Sequence, residues 1–295
     1  MLATDVLHLQ ASDSTTLSAQ SIELPADASI DSTWTLAQRM NHAPEKLADL
    51  RSVQAIFVRT TPSKDMERAW AHRLSLEVLR LAHECGVRIL NNPIGLQRAS
   101  SKLYTICLPR KFVPRTKVCH SLDSVQQFAK QLDCPFVLKP LLGSQGRDVF
   151  FLNEPNAVNT RQIVDILGRT GYIVVQEYIP DAVLGDIRVL TLDNTIITDK
   201  GKALGIRRTP AIGELRSNIS LGGTAEVIEL TDRQTEICTE VAGYLYNDGI
   251  QFAGLDLIGE KMVEVNVYSP SGLQELDRFL GRDISGEVAA ALVGV

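Results

Sequence analysis

The chain has 295 residues, 44% hydrophobic and 22% charged, with a net charge of −5. That balance supports about two globular domains with a sizeable core and excludes wholesale disorder. An acidic chain gives no electrostatic support to nucleic-acid binding, and no run of about 18 apolar residues is present to span a membrane. Residues 1–20 are rich in Ser, Thr and Asp and lack the basic-then-apolar pattern of a secretory signal. Five scattered cysteines (Cys85, Cys107, Cys119, Cys134, Cys238) form no Cys-x-x-Cys pair. They suit reduced thiols in a cytoplasm.

In chain order, Val6–Leu9 and Ser21–Leu24 alternate like two strands of a ribbon, with Ser12–Thr16 as the turn. Val53–Arg59 reads as a short strand. A helix is expected from about Lys64 to Cys85, with Trp70, Leu74, Val78, Leu81 and Cys85 as its apolar stripe and Gly86 as its stop. Val87–Leu90 follows as a strand, so residues 53–90 form a strand–helix–strand unit suited to a parallel sheet. Residues 101–140 read helix, strand, helix, strand. Ser121 caps the second helix, which runs to about Leu132, and Phe136–Lys139 is the second strand. Strands are expected at Asp148–Leu152, Tyr172–Gln176, Ile187–Leu192 and Thr195–Asp199. Residues 205–224 read as an irregular, functional loop rich in Gly, Arg and Ser. A helix starts at Thr231 and ends near Asn247. Phe252–Ile258 and Met262–Val267 form a hairpin around Gly259, and helices near Gly272–Leu280 and Ser285–Val293 close the chain.

Three places carry candidate chemistry. In Lys139 to Arg147, two glycines (Gly143, Gly146) flank Ser144 and Gln145, which lets backbone N–H groups approach an anion. Lys139 ends an apolar strand, where an ammonium needs a partner and a nucleotide phosphate supplies one. No Gly-Lys-Ser/Thr follows, so this is not a Walker A loop. The ordinary alternative is a β-turn with a snorkelling lysine.

The second place is Asp256 with Glu264 and Asn266, because carboxylates on apolar strands are costly unless paired or metal-bound. A two-residue turn at Gly259-Glu260 sets Asp256 opposite Val263. A three-residue turn sets it against Glu264, and three oxygen ligands on one face then suit Mg²⁺. Exposed polar residues on a half-buried hairpin are the alternative. The third place is Gln176-Glu177-Tyr178-Ile179-Pro180 followed by Asp186 and Arg188. A strand that stops at Pro180 leaves backbone groups for an adenine edge, and a plain strand, turn and surface ion pair is the alternative. Lys200, Lys202, Arg207, Arg208 and Arg216 bunch nearby, as a small anionic ligand or a solvated face requires. The five histidines show no metal spacing, and no Gly-x-Ser-x-Gly is present.

Taken in order, these segments resemble the ATP-grasp fold, and within it bacterial glutathione synthetase. Asn91-Asn92-Pro93 with Ala99–Thr105 resembles the family's entry into the nucleotide domain. Phe136–Arg147 resembles its lysine strand and glycine loop, and Glu177–Arg188 its hinge and ribose segment. Arg207–Pro210, Gly213–Ile219 and Gly222-Gly223 resemble its lid. Phe252–Gly259 with Glu264–Gly272 resembles its metal hairpin and closing turn. The likeness spans residues 5–280. It departs at Leu142, where an Asp is usual, at Tyr268, where a Thr is common, and at the N-terminus, which begins after the family's usual first strand and helix.

The resemblance implies an α/β (α+β) chain with a shortened Rossmann-like pre-ATP-grasp domain over residues 1–98. An ATP-grasp domain covers 99–295, with subdomains of about 99–178 and 179–295. By the same likeness Lys102 and Lys139 hold ATP phosphates, together with the Gly143–Gly146 loop. Glu177, Tyr178 and Ile179 flank the adenine and Asp186 meets the ribose. Asp256, Glu264 and Asn266 hold Mg²⁺, or Mn²⁺ in its place. Arg188 and Arg216 stabilise the transferring phosphoryl group, and Arg59, Ser269 and Ser271 meet the substrate. The implied activity is an ATP-dependent carboxylate–amine ligase acting through an acyl phosphate on an acidic peptide and an amino acid. It would be cytoplasmic, free of nucleic-acid or membrane partners and, by family tendency, a homo-oligomer. A ligase with another carboxylate and amine pair, or a non-catalytic nucleotide-binding paralogue, stays open at this point.

Overall fold

The computed structural model describes residues 2–3, 9–11, 17–23, 46–60, 62–143, 146–211 and 222–294. The chain divides into two compact units, Met1–Gln97 and Arg98–Val295. No helix among the described residues is long and apolar enough to cross a membrane.

In the first unit β1 (Leu2–Ala3), β2 (Leu9–Ala11) and β4 (Lys46–Asp49) all pair antiparallel with β3 (Leu17–Glu23). The expected ribbon is present with its strands shifted, and its turn lies outside the described residues. β5 (Ala55–Phe57) and β6 (Arg88–Leu90) pair in parallel around α1 (Ala69–Glu84), as the strand–helix–strand pattern requires. The buried face of α1 differs from expectation. Ala71, His72, Ser75, Leu76, Leu79 and Ala82 are buried, whereas Trp70 and Leu74 are 54% and 55% exposed. A short helix, α2 (Pro93–Arg98), leads into the second unit.

The second unit holds two antiparallel sheets. The first comprises β7 (Thr116–Cys119), β8 (Phe136–Pro140), β9 (Phe150–Leu152) and β10 (Ile173–Glu177) in the order β7-β10-β8-β9. Before it comes α3 (Leu103–Cys107), and against it pack α4 (Leu122–Leu132) and α5 (Thr160–Gly168) through Val125, Ala129, Phe136, Leu138, Val164 and Ile173. Ser121 caps α4 by accepting from the Ser124 N–H, as expected. Helix α5 has no such announcement: Asn159 precedes it at φ 70° without a side-chain cap bond, and only Thr160, Val164 and Leu167 mark its inner face.

The second sheet contains β11 (Asp186–Leu192), β12 (Thr195–Ile196), β13 (Thr198–Asp199), β14 (Lys202–Thr209), β15 (Thr224–Glu229), β16 (Phe252–Ile258) and β17 (Lys261–Asn266). Its main path runs β13-β14-β11-β16-β17. Strand β16 is buried from Phe252 through Leu257, and α6 (Asp232–Asn247), whose Ile237, Val241 and Leu245 are buried, packs against β11 and β12. Helices α7 (Leu273–Leu280) and α8 (Ile284–Val293) close the chain.

The stretch 205–224 is not irregular throughout. β14 continues to Thr209 and pairs with β15 down to Thr209–Thr224. Gly205 misled the sequence reading: a Cβ there would lie 2.5 Å from Ile187 Cγ2 and 2.7 Å from Leu230 Cδ2, so the glycine marks close packing inside a strand.

Candidate nucleotide and metal site

The register of the second sheet places a row of charges on one face. Asp186 and Arg188 are two apart on β11 and share that face. Arg208 of β14 stands opposite Asp186, and Asp256 of β16 stands opposite Arg188. Glu264 of β17 stands opposite Asp256, and Asn266 opposite Gly254. The hairpin reaches this register by a route the sequence did not suggest. Ile258 pairs with Lys261 across a two-residue turn, and a bulge between Asp256 and Leu257 then shifts the register to bring in Glu264.

Asp256 is the hub. Its Oδ1 accepts from Arg188 Nε at 2.5 Å and its Oδ2 from Arg188 Nη2 at 2.9 Å. Asn266 Nδ2 donates to Oδ2 at 3.1 Å, and Arg208 Nη2 lies 3.1 Å from Oδ1. The Arg188 and Asp256 side chains are 7% and 4% exposed. Burial opposes ionisation of Asp256, but Arg188 and Arg208 outweigh it and hold the carboxyl down at about 2. Arg208 also grips Asp186 with two bonds of 2.7 Å. Burial and the nearby Asp256 charge push Asp186 up to about 6 against that pull. Gly254 makes the arrangement possible, because a Cβ there would lie 3.0 Å from Arg188 Cδ and 2.8 Å from Pro270 Cβ. Arg188 Nη1 donates further to the carbonyl and hydroxyl of Ser271, at 3.1 and 3.3 Å. Ser269 is half-buried in the same turn.

Two lysines approach the row. Lys102, at the start of α3, donates to the Gly143 carbonyl at 2.8 Å and lies 3.8 Å from Glu264 Oε1. Burial lowers its pKa. Lys139, near the end of β8, donates to Gln176 Oε1 at 3.0 Å. Burial pulls its ammonium down to about 8, opposed by the Glu264 charge. Lys102, Thr105, Thr116, Lys139, Gln176 and Val263 line one small cavity.

The hinge is more committed than a free strand end. Glu177 Oε1 accepts from the Arg115 N–H at 2.8 Å and Oε2 from Arg115 Nε at 2.5 Å. The N–H groups of Glu177 and Tyr178 already donate to the carbonyls of Arg115 and Pro135, which leaves the Ile179 end of the stretch as the place for an adenine edge. The Tyr178 ring meets Phe151 edge-on at 4.8 Å. Ile179 is half-buried where the chain turns into Pro180.

The glycines of the expected phosphate loop are φ-positive, Gly143 at 140° and Gly146 at 67°. Ser144, Gln145 and Arg216 lie outside the described residues. Arg59 belongs to the first unit, its guanidinium 5.4 Å from the Phe57 ring centre. Within the basic bunch, Lys202 pairs with Glu229 at 2.6 Å, Arg207 faces Glu226 at 3.6 Å, and of these three Arg208 alone turns into the charged row. Arg208 as a partner of two aspartates, Gln176 as the partner of Lys139, and Arg115 as the partner of Glu177 escaped the sequence reading. Each contact joins segments far apart in the chain.

The chemistry of the donor set fits a hard divalent cation. Asp256, Glu264 and Asn266 offer only oxygens, and Asn266 keeps its amide oxygen while its N–H₂ faces Asp256. Arg188 and Arg208 share Asp256 Oδ1, and Asn266 shares Oδ2 with Arg188, so a cation would compete with them for these oxygens.

A family model described as the prokaryotic glutathione synthetase ATP-grasp domain matches residues 101–281. The glutathione synthetase of Synechococcus elongatus is 35% identical over 263 residues, which span 88% of this chain and 77% of that protein. That of a Nostoc species is 32% identical over 273 residues, spanning 91% and 80% respectively. The crystal structure of D-cycloserine synthetase DcsG superposes with a TM-score of 0.63 at 18% identity, covering 84% of this chain and 85% of that one, a likeness of fold. The chain therefore belongs to the prokaryotic glutathione synthetase family of ATP-grasp proteins and is an ATP-dependent ligase.

Proposed function

We propose that the chain joins γ-glutamylcysteine to glycine, with ATP converted to ADP and phosphate. The observation that carries the site assignment is the convergence of Lys102, Lys139, Glu264 and Asp256 from four separate elements of the second unit. Two cations beside two carboxylates suit a triphosphate with its metal. Arg59, Ser269 and Ser271 are the proposed substrate contacts. The free cysteines fit a cytoplasmic enzyme, acting as a homo-oligomer on small molecules.

In this reading the peptide carboxylate attacks the γ-phosphorus of ATP and ADP departs. The resulting acyl phosphate is attacked by the glycine amine, phosphate leaves, and the amide forms. No protein nucleophile is needed. Lys102, Lys139 and the backbone of Gly143–Gly146, including Ser144 and Gln145, orient the phosphates. Arg188 and Arg216 would stabilise the negative charge that develops in transfer. Ile179 meets the adenine edge, flanked by Glu177 and Tyr178. Asp186 takes the ribose hydroxyls once Arg208 yields. Asp256, Glu264 and Asn266 would hold Mg²⁺ (or Mn²⁺), which supplies charge neutralisation on the phosphate oxygens. The lid expected between β14 and β15 falls mostly outside the described residues.

The test is ADP and phosphate release from ATP and Mg²⁺ with a panel of acids and amines. Turnover that requires γ-glutamylcysteine and glycine together is the expected result. Turnover with a different pair overturns the substrate assignment, and ATP binding without turnover on any pair overturns the activity.

A further inference from the structure

The lysine near the end of β8 is held by a neutral relay. Gln176 of β10 stands directly opposite Thr116 of β7 and opposite Val137 of β8, so Lys139, two residues beyond Val137, is its diagonal neighbour on the same face. The donor count fixes the amide's direction. The single hydroxyl proton of Thr116 goes to the Pro114 carbonyl at 2.8 Å. Thr116 Oγ1 must then accept from Gln176 Nε2, at 2.9 Å. That leaves Gln176 Oε1 facing Lys139 Nζ at 3.0 Å. A flipped amide would set N–H against an ammonium. Gln176 is 6% exposed, so no bulk water competes for these bonds.

We propose that Gln176, oriented by Thr116, is a positioning residue for Lys139, aiming its ammonium at the nucleotide phosphates while leaving its charge uncancelled. This rests on the proposed role of Lys139 in phosphate binding. The neutrality of the partner is the functional point. The charges that act on Lys139 are those of Glu264, Lys102 and Asp256, and Glu264 is already the ion-pair partner of Lys102. A carboxylate at 176 would bond the ammonium equally well and cancel it. The next residue, Glu177, is a carboxylate, but it is tied to Arg115.

The experiment measures ATP and adenosine affinities by calorimetry, with thermal melts, for the full chain and for Gln176→Glu, Gln176→Leu, Thr116→Val and Thr116→Ser. Gln176→Glu should weaken ATP binding by about tenfold or more, because a new charge pair opposes the phosphate. Its adenosine affinity and melting temperature should hold or rise. Gln176→Leu and Thr116→Val should weaken ATP binding by a few fold, and Thr116→Ser, which keeps the hydroxyl, should match the parent. Parental ATP affinity in Gln176→Glu overturns the proposal, as does equal loss of ATP and adenosine in Gln176→Glu and Thr116→Val, which would mark a purely structural role. A parent chain that binds no ATP would instead overturn the role of Lys139 itself. Parent binding with indifferent variants overturns only the relay.

Discussion

Replacing Asp256 by Asn removes one charge from the most enclosed ion pair among the described residues of the second unit. Arg188, 7% exposed, then keeps only its bonds to Ser271 as firm partners, while Arg208 retains Asp186. Removing one member of a buried pair typically costs about 3–5 kcal/mol, because the other charge stays buried and uncompensated. The Asn oxygen can still accept one N–H, so the lower end, about 3 kcal/mol, is expected. For a domain of this size each kcal/mol moves the midpoint by about 2–4 °C, so the variant should melt about 6–12 °C below the parent. Urea and thermal unfolding without nucleotide provide the assay, with an unchanged denaturant slope as the check that the same surface is exposed. The parent should also show an acid limb that the variant lacks. Asp256 is depressed to about 2 from an ordinary 3.8, so its stabilisation is complete above the unfolded value and lost as pH falls from about 4 toward 2. A variant within about 1 kcal/mol of the parent, retaining that limb, would refute the account of Asp256 as the hub.

Other expectations follow from neighbouring groups. Asp186 is raised to about 6, so between its unfolded value of 3.8 and that point the native state holds more protons; this group's contribution should fall as pH rises across that window, and Asp186→Asn should flatten the slope in a series of urea melts. Burial pulls the Lys139 ammonium down to about 8, so ATP affinity should decline as pH rises through that value, read by calorimetry from about pH 7 to 9.5; a flat profile would separate Lys139 from the phosphates. Gly254→Ala should cost about 1–3 kcal/mol by overpacking and should lower kcat more than KM, because the new methyl displaces Arg188 and Pro270 rather than a surface loop. An unaltered kcat in a folded Gly254→Ala protein would show that Arg188 need not hold its place.

Local signals were legible where one segment carries the whole pattern. Ser121 and Thr231 announced their helices by capping, and the apolar runs 136–139 and 252–258 announced strands. The charged residues at the site were also visible, because Lys139, Asp256 and Glu264 stand among apolar neighbours where isolated charge is costly. Their partnerships were not. Glu264 faces Asp256 only because a bulge adds one residue after a two-residue turn, and bulges leave little trace in sequence. The Gln176 contact depends on the strand order β7-β10-β8, and the Arg208 contact on β14 lying beside β11. Gly205 signalled a loop when it marked close packing. The stripe of α1 chosen by apolar spacing left out Ala71 and Ala82, whose small side chains let the helix approach its neighbours.

The central chemical claim, activation of a carboxylate as its acyl phosphate, is tested most directly by isotope transfer. γ-Glutamylcysteine labelled with ¹⁸O in its cysteinyl carboxylate is incubated with ATP, Mg²⁺, glycine and the full chain, and the released phosphate is weighed by mass spectrometry. The account predicts one ¹⁸O in each phosphate released with product. Product formation with unlabelled phosphate would contradict it.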